Sequence, residues 1–509
     1  TLATELPRNR DFEGVRAAAE AAWEKTLGAV HVEGGTDEQR RTFYSCLFRA
    51  SLLPRMFYEY DAAGEPRYRS PYDGQVHAGR MFTDTGFWDV FRAQMPLNVL
   101  LRPEMQGQYM QALLAAHEQC GWLPSWSFPE EQGSMLGNHA ASLLADAWAK
   151  GIRTFDPAVA AAAYDHESSH KGPWGPANGR GGADLIERLG YLPYPDHREA
   201  TAKTLEYAYD DFCGYRLALA AGDDALAETF LKRATNYRNV FDPQVGFMRG
   251  KDAAGRWTEP FDPIEWGGPY AEGCAWHWTW SVFHDVAGLV DLFGGDEPVV
   301  AKLDGVFAAP SEFKPGTYGA PIHEMREMVE SGLGQYAHGN QPIQHMIYLY
   351  CYAGAPWKTQ YWARLAMDRL YDSTENGYPG DEDQGQTSSW YVMSALGLYC
   401  VCPGTDEYVL GSPLFPRATI DLGKGRRFVI TCRNQSSANV YVQSAELNGR
   451  PLSRNFLRHE ELVAGGELTL EMGPQPNFER GTAPADRPFS LSTADSLARQ
   501  PAVDVSLGK

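Results

Sequence analysis

The chain has 509 residues, 43% of them hydrophobic and 22% charged, which is the balance of a folded protein large enough for a substantial core. Its formal net charge of −20, with no compensating Lys/Arg-rich run, argues against nucleic acid as a partner. No stretch of about 18 uncharged apolar residues is present, so no membrane-spanning helix is expected.

Residues 1–401 read as a succession of helices. Apolar residues recur at three- and four-residue spacing over 11–28, 105–119, 139–150, 198–220, 223–238, 274–290, 340–352, 357–371 and 386–399. A dozen or so helices without strand-like alternation point to a mainly α fold, an α/α toroid. Its connecting loops, FPEEQGSM, ESSHKGPWGPANGRGG, DPIEWGGPYAEG and YPGDEDQGQ, are long and rich in acids and aromatics, which is where function is expected on a helical scaffold. From 402 to 474 the period changes to two, in ATIDLG, RRFVITC, NVYVQSAEL, HEELVAG and ELTLEMG. The Asn-Gly pair of ELNGRPL marks a hairpin, and a small antiparallel β domain packed on the barrel is expected. Residues 475–509, rich in Pro, Ala and Ser, read as a tail or linker. The eight cysteines are scattered without a CxxC pair, and read as buried free thiols.

Two polar runs carry the chemistry. In GYPGDEDQGQTSSWYVMSALG, Asp381, Glu382 and Asp383 precede an apolar helix, where free N–H groups favour an ionised carboxylate fit to act as a general base. In DPIEWGGPYAEGCAWHWTW, Glu272 stands among Trp266, Tyr270, Trp276, Trp278 and Trp280. An aromatic, poorly hydrated setting raises a carboxyl pKa, as a general acid requires. Composition alone favours the plainer readings, helix capping with solvated charge for the first run and a helix N-terminal Glu beside core aromatics for the second. HEMRE supplies His323, Glu324 and Glu327, and YAHGNQPIQH supplies Asn340 and Gln341. Neither has zinc spacing, and their carboxylate and amide oxygens suit a hard cation such as calcium. Trp88, Asp89 and Arg92 in TGFWDVFRA are suited to gripping sugar hydroxyls.

TDTGFWDVFRAQMPL, GWLPSW, KTLEYAYDD, NYRNVFDPQVGFMRG, EGCAWHWTW, GNQPIQHMIYLY, PWKTQYW, GDEDQGQTSSWYV and VCPGTDEYVLGSPLF occur in the order of the signatures of glycoside hydrolase family 92. The chain resembles that family from about residue 30 to about 475. The resemblance implies a mainly α, (α/α)6 toroid or barrel and a secreted bacterial exo-α-mannosidase, extracellular or periplasmic, that inverts the anomeric centre. It also implies a need for calcium, which helps bind and distort the mannose. On this resemblance Glu272 is the general acid and Asp383, supported by Asp381, the general base. His323, Glu324, Trp276, Asn340 and Gln341 join Trp88, Asp89 and Arg92 in binding substrate, and Glu327, Asn340, Gln341 and Asp381 are the expected metal ligands. Many members have Glu where this chain has Gln341, which leaves subsite preference open. The family's N-terminal β-sandwich does not precede Thr1, and such a domain is expected to complete the site. Two alternatives stand beside mannoside hydrolysis: uncapping of a mannosyl phosphodiester on the same fold, and a non-catalytic carbohydrate-binding toroid.

Overall fold

The computed structural model describes residues 11–493. A helical body is followed by a smaller sheet. The principal helices are α1 (Phe12–Leu27), α2 (Asp37–Arg49), α3 (Phe87–Val90), α4 (Gln94–Leu101), α5 (Pro103–Cys120), α6 (Ala140–Ala149), α7 (Pro157–Ser169), α8 (Ala183–Leu189) and α9 (Ala200–Ala221). They continue as α10 (Asp224–Ala234), α11 (Ala275–Trp278), α12 (Val286–Phe293), α13 (Asp296–Ala308), α14 (His323–Ser331), α15 (Pro356–Leu370), α16 (Gln386–Ala395) and α17 (His459–Val463).

Most periodic segments fold as their spacing predicts, with two exceptions. The predicted helix over 274–290 is interrupted. Asp285 accepts a hydrogen bond from the Gly288 N–H and starts α12 afresh, while α11 is a single turn. Over 340–352 the chain forms two short 3-10 turns, 341–343 and 346–351, with Pro342 in the first. Each turn is closed by an i to i+3 bond, such as Gln344 N–H to the Gln341 carbonyl at 3.1 Å, and neither propagates as an α-helix.

Long helix α9 organises one half of the body and packs on α6, α7 and α10. In the other half α16 packs on α2, α4 and α15. Every residue of α16 is buried, so the helix is enclosed on all sides rather than amphipathic. Glu382 caps it, accepting from the Gly385 N–H at 2.8 Å and the Ser388 N–H at 3.3 Å.

The large sheet comprises β1 (Val30–Glu33), β2 (Arg417–Asp421), β3 (Arg427–Arg433), β4 (Tyr441–Leu447), β5 (Arg450–Pro451) and β6 (Gly466–Gly473), in the order β1-β2-β3-β6-β4-β5. It corrects the expected antiparallel domain in two respects. β3 and β6 run parallel, and β1 from the N-terminal side completes the edge. A parallel pair needs a long return, and the 434–465 segment supplies it with the β4/β5 hairpin and α17. HEELVAG, expected as a strand, is α17, whose first turn is closed by Glu461 accepting from the Arg458 N–H at 2.8 Å. The hairpin forms as expected, with Asn448 and Gly449 both at positive φ (53° and 73°), the pattern of a type I′ turn. Residues 475–493, expected as tail, pack on the body. Arg487 pairs with Asp296, and buried Ser490 donates to Asp285 at 2.9 Å. Positions 494–509 lie outside the described residues. All eight cysteines are free, and seven are buried.

Beneath the mouth of the helical body lies a dry, balanced ionic network. His139, at the start of α6, pairs through Nε2 with Glu206 at 2.6 Å and through Nδ1 with Asp210 at 2.9 Å. The Arg92 guanidinium stands 3.7 Å from Glu206, and Phe91 stacks on the His139 ring at 4.3 Å. Burial alone would strip His139 of its proton, but Asp210 and Glu206 outweigh it and raise the pKa to about 9. A raised histidine pKa adds stability that is complete below its unfolded value of 6.5 and is lost as pH climbs through 9. Denaturant midpoints are therefore expected to fall between pH 6.5 and 9 in the wild-type chain. This slope should be absent in His139→Gln, and an unchanged slope there would contradict the assignment.

Candidate active site

Four loops meet at one mouth, and their backbones carry the signs of a site held under constraint. Glu272 (φ 42°), Asp383 (φ 54°), Gln384 (φ 60°) and Glu199 (φ 59°) all adopt left-handed conformations that cost a non-glycine residue free energy. The 339 and 380 loops touch backbone to backbone. A Cβ on Gly380 would come within 2.2 Å of the Gly339 carbonyl, so only glycine admits this approach.

Glu272 stands on the loop just ahead of α11. Its N–H donates to the Tyr318 hydroxyl at 2.7 Å, and the Asn340 amide donates to its carbonyl at 3.0 Å and its Oε2 at 3.4 Å. Burial lifts its carboxyl pKa to about 7, aided by the charge of Glu324 and opposed by Asn340 and His323. Of the aromatics expected around Glu272, Trp278 reaches the adjoining backbone, its Nε1 donating to the Ala271 carbonyl at 2.7 Å. Trp266, Tyr270, Trp278 and Trp280 are buried in the core. Trp276, expected to bind substrate, packs edge-on against Phe247 at 4.8 Å, under the Lys302 ammonium, and faces Gly305 of α13. Alternating residues of a single helical turn point to opposite sides, so Trp276 serves the α11–α13 packing.

Asp383 sits on the loop before α16. Because Glu382 takes the capping role, Asp383 is free of it, and its Oδ2 accepts instead from the Gln341 amide. Its pKa is pushed up to about 8, chiefly by burial and then by Asp381, Glu272 and Glu382, with His323 opposing. This differs from the ionised base expected of a helix N-terminus. The site holds more carboxyls than cations, and their mutual repulsion outweighs the helix end. Asp89, on α3, is 3% exposed with an unpartnered Oδ2. Burial and the charges of Asp383 and Glu272 hold its pKa well above the usual range against the pull of Arg92. Trp88 is buried with an unpartnered Nε1 and receives the Arg92 guanidinium over its ring at 5.3 Å.

His323, at the start of α14, is the mouth's main counter-charge. It contacts Glu324 at 3.2 Å, Glu327 at 3.0 Å and Asp381 at 3.9 Å. Partial burial opposes its protonation, but Glu327 and Glu324 prevail and its pKa is raised.

Adjacent residues Asn340 and Gln341 thus tie the two principal carboxyls together, one amide to each. Gln341 belongs to the Asp383 side, away from the proton-donor position of Glu272. Two neighbours carry no sequence pattern that would have revealed them. Tyr318 holds the Glu272 backbone, and Glu199 adds its charge to the Glu272 environment.

The donor set suits a hard cation. Asp89 Oδ2, Glu324 Oε2 and Glu327 Oε2 are buried without partners, and Asp381 is exposed at the mouth. Among the described residues no three His, Cys, Asp or Glu side chains converge as a ready metal cluster. A cation here would have to draw on amide or main-chain oxygens as well, which is calcium-like and unlike zinc. Of the expected ligands, Asn340 Oδ1 already accepts from the Gln341 N–H, and Glu327 Oε1 bonds His323.

Comparison with known proteins accords with this architecture. A family 92 inverting mannosidase from Bacteroides thetaiotaomicron VPI-5482 is 51% identical with a TM-score of 0.90, over 96% of this chain and 66% of that one. A family 92 α-mannosidase from Bacteroides thetaiotaomicron, in complex with mannoimidazole, is 30% identical with a TM-score of 0.86, over 95% of this chain and 62% of that one. An uncharacterized secreted glycosidase of Arthroderma benhamiae (strain ATCC MYA-4681 / CBS 112371) is 28% identical over 531 residues, 96% of this chain and 60% of that protein. The chain therefore spans about two thirds or less of the length of these relatives. Residues 1–474 match the glycosyl hydrolase family 92 catalytic domain, and the chain belongs to that family.

Proposed function

We propose that this chain is the catalytic part of an α-mannosidase that removes terminal α-linked mannose with inversion, its helices closed as an (α/α)6 toroid. The observation that carries the reading is the Asn340–Gln341 bridge, which holds Glu272 and Asp383 as a pair of half-buried carboxyls on separate loops. Family membership and mannosidase neighbours support the substrate class, and the secreted relative supports an extracellular or periplasmic setting. Among the described residues no helix is long and apolar enough to cross a membrane.

In this mechanism Glu272, whose pKa of about 7 keeps a substantial share of it protonated near neutrality, gives its proton to the glycosidic oxygen as the bond to the sugar breaks. Asp383 acts in its ionised form, which its pKa of about 8 makes the minor one at neutral pH unless positive charge, such as that of His323 or a bound cation, offsets the neighbouring carboxyls. It then takes a proton from a water on the opposite face of the ring, and the water oxygen bonds to the anomeric carbon. Asp381 and His323 adjoin Asp383 and set its charge. Trp88, Asp89 and Arg92 form the floor beneath the sugar, and Glu324 lines the acid side. Calcium, held by Asp381, Glu327 and the oxygens of Asn340 and Gln341, would supply positive charge to a site overloaded with carboxylates. The phosphodiester-uncapping alternative depends on a missing acid. The placement of Gln341 on the Asp383 side leaves Glu272 in possession of that role, and disfavours this alternative.

Asp383→Asn is expected to lower kcat by about 10³-fold or more on every α-mannoside, since each still needs its water activated. Glu272→Gln should cost about 10²–10⁴-fold on ordinary mannosides and far less on a dinitrophenyl mannoside, which departs without a proton. Equal losses on both substrates would remove Glu272 from the acid role. Exhaustive treatment with a calcium chelator should abolish turnover, and added calcium but not zinc should restore it. Full activity after chelation would contradict the metal assignment.

A further inference from the structure

A second cavity, of about 500 Å³, opens where α13, α15 and β4 meet, and none of the residues of the acidic mouth line it. Its walls are aromatic: Trp357, Tyr361 and Trp362 from α15, and Tyr441 from β4. Tyr361 is 41% exposed, and Trp357 and Trp362 are half-buried. An aromatic cluster of this kind ordinarily turns inward, so one left open to solvent invites a ligand.

The walls are pre-set. Trp362 lies flat on Phe307 with ring centroids 3.5 Å apart and planes 6° apart, and Tyr361 meets Trp362 edge-on at 4.9 Å. The polar floor is equally fixed. Lys358 bonds Asp304 at 2.8 and 3.0 Å, and the Tyr350 hydroxyl donates to Asp304 at 2.9 Å. Fixed walls spare a ligand the ordering cost of mobile side chains. The one ammonium and the one carboxylate in the pocket neutralise each other, so neither an anion nor a cation finds a free counter-charge there. Open aromatic faces beside an internally neutral donor–acceptor pair suit a neutral polyhydroxylated ring. Its C–H face would lie on indole or phenol, and its hydroxyls would reach the Lys358–Asp304 pair.

We propose that this pocket is a non-catalytic binding site for a neutral pyranose oligosaccharide, holding a glycan chain while its end is processed elsewhere. The choice of α-mannan as ligand rests on the mannosidase reading, whereas the class of ligand rests on the pocket alone.

The test uses Trp357→Ala/Tyr361→Ala in the full chain, with thermal melts to verify folding, and Tyr361→Ala alone as a milder variant. Electrophoretic retardation in gels containing soluble α-mannan or soluble β-glucan reads the pocket, and turnover of an aryl α-mannoside reads the catalytic site. Retardation of the wild-type chain by α-mannan, weakened about tenfold or more in the double variant with aryl-mannoside kinetics unchanged, is the expected result. Cleavage of the aryl mannoside without any retardation by either glycan would overturn the pocket and leave the function standing. Pocket-dependent retardation in a chain that cleaves no mannoside would uphold the pocket and overturn the mannosidase reading. A variant that keeps wild-type retardation, or alters only the oligomeric state, would overturn the proposal in favour of a protein-docking surface.

Discussion

Too many carboxyls in too little water is the constraint on which the site depends. Asp89, Glu272, Glu324, Asp381 and Asp383 gather within reach of one another's charge, opposed by His323 at the mouth and Arg92 beneath. Left alone, such a cluster would spread apart or protonate. Here the folding free energy of the helical body holds it together, and the cost appears as left-handed backbone at Glu272 and Asp383 and as raised pKa values on both. Carboxyls set on rigid loop ends cannot relax away from the reacting atoms.

Two devices make that crowding usable. Asn340 and Gln341, consecutive in sequence, each donate to one member of the pair, so any displacement of one carboxyl is felt by the other. Glu382 satisfies the N-terminus of α16, which leaves Asp383 without a structural duty. Beneath the mouth, Arg92 links this cluster to the His139–Glu206–Asp210 network, where two positive and two negative groups balance. The mouth itself is not balanced in that way, and this imbalance gives a hard cation a physical reason to bind.

Much of this was legible in the sequence, and the parts that were not have physical causes. The segments 105–119, 198–220 and 357–371 became helices because their apolar periodicity is backed by tertiary packing on the same face. The loop before 386–399 could be located because its acids immediately precede an uninterrupted apolar run. In contrast, HEELVAG follows strand-like neighbours, and nothing in its spacing reveals that the chain needs a crossover there. The direction of Trp276 is not legible in the sequence, because the direction of one residue in a single turn depends on what packs beside it, here Phe247 and Lys302. Tyr318 and Glu199 enter the site as isolated residues on separate loops, a juxtaposition that only tertiary structure creates. The His139 network did leave a trace: Glu206 and Asp210 stand four apart in KTLEYAYDD, so two acids share one face of an otherwise buried helix.

In the proposed reaction Glu272 and Asp383 divide the work across a cleft with a water between them, and no covalent bond to the sugar forms. The anomeric configuration of mannose at the moment of release tests this directly. Proton NMR of an α-mannoside reaction, recorded before mutarotation proceeds, should show the β anomer accumulating first and the α anomer following as equilibrium is approached. Initial appearance of α-mannose would indicate two successive displacements and contradict the account.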